Sequence, residues 1–152
     1  MATMAEGRST PVHLWIVGIL ALLWNGFGCF DYLMTRMRNT DYLAGMMPGT
    51  DPNEILSYVD SFPLWAQIGW GLGVWAGLAG AVLLLIRSRW AALAFLLSLA
   101  GAVLGLGYQI LNPGGPAAMH EGAGAVMPYI IILVAALLAW YARSMAKRDV
   151  LR

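Results

Sequence analysis

Four long runs of apolar residues divide this sequence, Val12 to Met34, Pro63 to Ile86, Trp90 to Leu111 and Val126 to Tyr141. At 1.5 Å per residue, each run crosses or nearly crosses about 30 Å of hydrocarbon as a helix. A strand reading has no support, because a barrel would need many short alternating segments. In lipid, moreover, every backbone amide must bond within its own segment. Pro63 and Pro128 stand near the first turns of spans two and four, and Thr10-Pro11 reads as the N-cap and first helical residue of span one. The expected architecture is an all-α integral membrane protein, one four-helix transmembrane bundle over residues 1–152.

The connections differ in kind. Only Arg87-Ser88-Arg89 separates spans two and three, which makes them an antiparallel hairpin. The segment from Thr35 to Phe62 holds a turn signal, Met46-Met47-Pro48-Gly49, and then a capping-box-like helix start, Asp51-Pro52-Asn53-Glu54. Ile55, Leu56 and Val59 fall on one face beyond it, so a short amphipathic helix on the membrane surface is expected in this first outer loop. Asn112 to Gly124, rich in Gly, Pro and Ala, reads as a flexible loop.

Composition sharpens the picture. Of 152 residues, 60% are hydrophobic and 11% charged, too few charges to cover a water-soluble domain. High apolar content and a net charge of +1 exclude a disordered chain, and no basic patch supports nucleic-acid binding. Placing both termini in the cytoplasm puts Arg8, Arg87, Arg89, Arg143, Lys147, Arg148 and Arg152 inside, against Arg36 and Arg38 outside. Trp15, Trp90, Trp140 and Tyr141 then form an inner aromatic belt, and Tyr32, Phe62, Trp65, Tyr108 and Tyr129 an outer one. Span one is too long for a cleaved signal and lacks a small-residue cleavage site, so it is expected to be retained. The single cysteine, Cys29, allows no intrachain disulfide.

Small residues predict how the spans pack. Gly69, Gly73 and Gly77, with Gly80 close to the same face, line span two, and Ala94, Ser98, Gly101 and Gly105 line span three. Such stripes let helices approach closely where lipid removes the hydrophobic drive between them. The two stripes are expected to face each other, tightly closed at the inner end and wider toward Trp65 and Tyr108 at the outer end. Ala135, Ala139 and Ala142 form a weaker packing stripe on span four.

Polar side chains within spans are costly and mark candidate sites. Asn25 and Asp31 in span one, Gln67 in span two, and Tyr108 and Gln109 at the end of span three gather toward the outer face, with Trp65 beside them. Asp31 must be protonated, wetted or paired. Its expected partners are Tyr108, Gln109 or an outer arginine, and it is the candidate proton or substrate site. Asn25, on another face of the helix with Cys29 and Tyr32, reads as interhelical glue. Cofactor chemistry finds no support. His13 and His120 belong to opposite sides of the membrane and cannot share a haem or metal. Neither a phosphate loop nor a nucleophile elbow is present, and the nine methionines are scattered as apolar filler.

The run Pro11-Val12-His13-Leu14-Trp15-Ile16-Val17-Gly18, continued by Leu23-Trp24-Asn25-Gly26-Phe27-Gly28 and Phe30-Asp31-Tyr32-Leu33-Met34-Thr35, resembles the opening of a small four-span family of proteobacterial membrane proteins. Phe62-Pro63-Leu64-Trp65, Gly73-Val74-Trp75-Ala76-Gly77 and Trp140-Tyr141-Ala142-Arg143 extend the likeness. Members of that family often carry the label sugar transporter. The resemblance implies a four-span topology and a bacterial inner membrane more firmly than a substrate. The Gly/Pro-rich loop around His120 departs from the family pattern. The expected function is non-enzymatic: small-solute transport through a periplasm-facing polar cleft by a homo-oligomer, or alternatively an accessory or assembly subunit held to other membrane subunits. An enzyme acting on lipid or quinone is the third reading and would need Asp31 or His120.

Overall fold

The computed structural model describes residues 9–152; Arg8, counted above among the inner basic residues, lies outside them. The described chain is helical, with no strand: α1 (Val12–Arg36), α2 (Thr40–Met46), α3 (Pro52–Asp60), α4 (Leu64–Leu85), α5 (Trp90–Leu111) and α6 (Gly122–Lys147), with a 3-10 turn at Ala117–Met119. α1, α4, α5 and α6 are long and apolar enough to cross a membrane. Pro11 and Pro63 take the N-cap positions of α1 and α4, so Thr10 is not the cap of span one. α6 is longer at both ends than the apolar run alone, and Pro128 falls inside it, buried. The expected loop from Asn112 to Gly124 is shortened by this early helix start and by the 3-10 turn.

α4 and α5 form the central antiparallel pair, α1 packs on α4, and α6 packs on α5. The α4–α5 backbones touch. A Cβ on Gly101 would lie 3.0 Å from Gly73 Cα, one on Gly69 would lie 3.0 Å from Gly101 O, and one on Gly105 would lie 3.0 Å from Trp70 N. Glycine is required there because no side chain fits between the two main chains. Gly77 and Gly80 have another use. A Cβ on Gly77 would run into Asn25 Oδ1 and lie 3.0 Å from Ser98 Oγ, and one on Gly80 would lie 2.8 Å from the Phe95 ring.

That distribution reverses the expected taper of the hairpin. The closest backbone approach lies in the Gly69–Gly105 half, while the half near Arg87 is spread by Phe95, which is 1% exposed. Around Phe95 a single core gathers Leu14, Ala21, Ala81, Leu84, Ala91, Ala139, Ala142 and Met145, drawn from all four long helices. Val150 and Leu151, beyond α6, fold back into the same core. The opposite end carries α2 and α3, which pack on each other through Leu43, Ile55 and Leu56. The apolar face of α3 is thus spent largely on α2, a helix that the sequence pattern did not reveal.

Candidate functional site

The candidate polar residues separate into several small clusters. Asp31, in the last turns of α1, accepts a hydrogen bond of 2.8 Å from the Tyr42 hydroxyl of α2. Tyr42 is also held edge-on by Phe30, with ring centroids 5.5 Å apart. Asn39 fixes α2 in place by capping it, its side chain accepting from the Tyr42 N–H at 3.0 Å. The partners expected for Asp31, namely Tyr108, Gln109 or an outer arginine, are therefore replaced by Tyr42. Burial, the hydrogen bond to Asp31 and the carboxylate charge together hold the Tyr42 phenol well above its usual range.

Gln67 joins α4 to α1. Its carbonyl accepts from Arg36 Nη1 at 3.2 Å, and its amide donates to Phe62 O at 2.9 Å. Arg38, at a positive φ of 56°, pairs with Asp60 at 3.0 Å and ties the end of α1 to the end of α3. Both arginines of this end are thereby used on the cap, and neither meets Asp31.

Trp65 and Tyr108 belong to an aromatic ladder. Ring centroids run Trp65–Tyr108 5.6 Å, Tyr108–Phe62 4.9 Å, Phe62–Tyr58 5.0 Å and Tyr58–His120 6.0 Å, mostly edge to face. The Tyr58 hydroxyl donates to Asn112 O at 3.0 Å, and His120 Nε2 is bonded to Gly114 O. Gly115 lies against the Tyr58 ring at a φ of 73°, a conformation and a space that both favour glycine. Burial raises the Tyr58 phenol above its ordinary range. Against this ladder opens a cleft of 830 Å³, walled by Asp51, Asn53, Glu54 and Ser57 on one side and by Tyr108 and Asn112 on the other. Gln109 lies apart, in a smaller cleft of 230 Å³ with Ile110, Met119, His120 and Tyr129.

Asn25 sits deeper in α1 and donates to Ala21 O at 2.8 Å, while its carbonyl oxygen fills the space left by Gly77. Ser98 donates to Gly73 O at 2.7 Å, and the Cys29 thiol donates to Val74 O at 3.2 Å. These bonds consume polar groups within the helix contacts, and among the described residues no buried side-chain nitrogen or oxygen lacks a partner. Beside these bonds the Gly69–Gly101–Gly105 contact brings α4 and α5 together main chain to main chain. Among the described residues no three His, Cys, Asp or Glu side chains are grouped to hold a metal.

Sequence reasoning missed Tyr42, Tyr58 and Asn112. The signal for Tyr42 was available in Asn39-Thr40-Asp41, a short N-cap pattern. Tyr58 and Asn112 come together only through tertiary packing, which no local pattern announces. Comparison with protein-family models, curated proteins and solved structures finds no match for this chain.

Proposed function

We propose that the chain is a non-enzymatic, multi-pass protein of the bacterial inner membrane that takes up a small solute at its periplasmic end. The observation that carries this reading is the 830 Å³ cleft between α3 and the loop after α5, beside the aromatic ladder. Six basic residues, Arg87, Arg89, Arg143, Lys147, Arg148 and Arg152, sit at the other end of the bundle, which favours both termini in the cytoplasm. The cleft end carries Asp41, Asp51, Glu54, Asp60 and Glu121 against two arginines. In this orientation α2 and α3 form a cap at the outer membrane–water boundary.

Solute handling then divides between binding and passage. The cleft binds, with the carboxylate, amide and hydroxyl groups of Glu54, Asn53, Ser57 and Asn112 beside the Tyr108 ring. Four spans give one copy little wall to enclose a translocation path, so the transport version calls for a homo-oligomer whose path runs between copies. Asp31, bonded to Tyr42 under the cap, is the candidate proton-exchange group of such a path.

Proteoliposome uptake tests this reading. Wild-type protein accumulates solute, Asp31→Asn does not, and Tyr108→Ala raises the concentration needed for half-maximal uptake. Equal uptake by all three, or none by wild type across sugars and small cations, contradicts it. A second reading, an accessory or assembly subunit, is favoured by α1, where Leu20, Leu23, Trp24 and Phe27 form an exposed apolar face. Gentle extraction that brings a stoichiometric partner chain with the protein, lost on Trp24→Ala with Phe27→Ala, supports that alternative.

A further inference from the structure

The end of the bundle opposite the cleft carries a knot that solute binding does not use. Beyond α6 the chain turns at Asp149, whose φ is 56°, and sends Val150 and Leu151 into the core. The Arg152 N–H then donates to Arg87 O at 2.7 Å, and the Arg89 N–H donates to Arg152 O at 2.8 Å. Arg87 itself turns at a φ of 62° and donates from Nε to Val150 O at 3.2 Å. Three arginines from two distant parts of the chain are thus tied into one short backbone ladder.

The ladder gathers three cationic residues at one turn, a place where an anion is held favourably. Arg87, Arg89 and Arg152 have no carboxylate within ion-pair distance among the described residues. Among the described residues of this end Asp149 is the one side-chain acid, while Arg143 and Lys147 on the last turns of α6 add to the positive field. With Nε engaged, Arg87 keeps its terminal N–H groups for another acceptor, and a guanidinium fork suits phosphate oxygens. Large apolar side chains flank the same turn: Ile86 and Trp90 are each 68% exposed. A free phosphate ion gains nothing from them. A phospholipid gains from both halves, its headgroup on the guanidinium groups and its chains along Ile86 and Trp90.

We propose that the Arg87–Arg89–Arg152 knot is a binding site for an anionic phospholipid of the cytoplasmic leaflet. It rests on the membrane placement and orientation of the proposed function and on nothing else in it. The test uses full-length protein in a non-ionic detergent, titrated with phosphatidylglycerol or phosphatidylcholine of identical chains and read by native mass spectrometry. Phosphatidylglycerol binds preferentially, and excess inorganic phosphate does not displace it. Arg152→Gln weakens the phosphatidylglycerol adduct about fivefold and Arg89→Gln with Arg152→Gln about 25-fold, since each basic group near a lipid surface contributes about a factor of five. Both variants leave phosphatidylcholine binding unchanged. The tail is held by main-chain atoms and by Leu151, so the fold survives the loss of these side chains, which a thermal unfolding scan of each variant checks. Equal binding of the two lipids overturns the proposal, as does an unchanged double variant. Displacement by inorganic phosphate assigns the knot to a free anion and also overturns it. A protein that remains dispersed without detergent refutes the membrane placement itself, and with it the cleft orientation; a detergent-requiring protein with no lipid preference refutes only the knot.

Discussion

At the Arg87 end, Leu14, Leu84, Phe95, Met145 and Leu151 meet in one apolar core, and the four long helices are spaced by the side chains between them. At the cap end, α4 and α5 meet main chain to main chain at Gly69, Gly101 and Gly105, and α1 is finished by two separate polar pairs, Asp31 with Tyr42 and Arg36 with Gln67. The contrast follows from residue size. Where the stripe meets Phe95, the ring props the hairpin open and recruits α1 and α6 around it. Where it holds only glycine, the two backbones collapse together and leave the remaining helices to be secured by other means. One end is a core built from volume; the other is a contact built from the absence of volume, topped by hydrogen bonds.

Breaking the glycine contact has the largest expected effect. Gly101→Leu forces a side chain against Gly69 and Gly73 backbone, and loss of the α4–α5 hairpin, more than about 3 kcal/mol, is expected in a denaturant titration in detergent. Gly107→Ala, where nothing lies within 4 Å, stays within about 0.5 kcal/mol of wild type. Phe95→Ala removes the prop of the other end and costs about 3 kcal/mol by the same titration, with the cap left intact. Tyr42→Phe takes from Asp31 its hydrogen-bond donor and costs about 1.5 kcal/mol, read as earlier proteolysis in the α1–α3 connection.

Titration sharpens the same comparison. The phenols of Tyr42 and Tyr58 are raised on folding, so the folded state holds their protons over a range where the unfolded chain has released them. Their contribution is complete below the unfolded value of about 10 and is lost as pH rises beyond it. Unfolding followed from pH 9 upward therefore shows a decline that Tyr42→Phe and Tyr58→Phe each make shallower. A small change comes at the exposed Arg38–Asp60 pair, where Arg38→Gln shifts stability by less than about 1 kcal/mol and less still in high salt.

Much of the frame was legible in the chain itself. Apolar runs the length of a bilayer announce four helices, a three-residue connection announces the hairpin, and glycine spacing announces which faces of α4 and α5 meet. Two things were not. The direction of the taper depends on Phe95, whose position in the apolar run of α5 looks like any other until Gly80 is placed opposite it. The partner of Asp31 depends on α2, which at seven residues is too short for a hydrophobic period to register. Polar residues at similar depths look convergent in the sequence, but depth along an axis says nothing of which side of a helix carries them. Gln109 and Tyr108 are adjacent in sequence and face different clefts.

Cysteine accessibility in intact and permeabilised cells tests the central claim most directly, using Ser88→Cys and His120→Cys in a background where Cys29 is replaced by alanine. A bundle crossing the membrane with its cap outside predicts that an impermeant maleimide reaches position 120 in intact cells and position 88 only after permeabilisation. Labelling of both positions from the same compartment would contradict it.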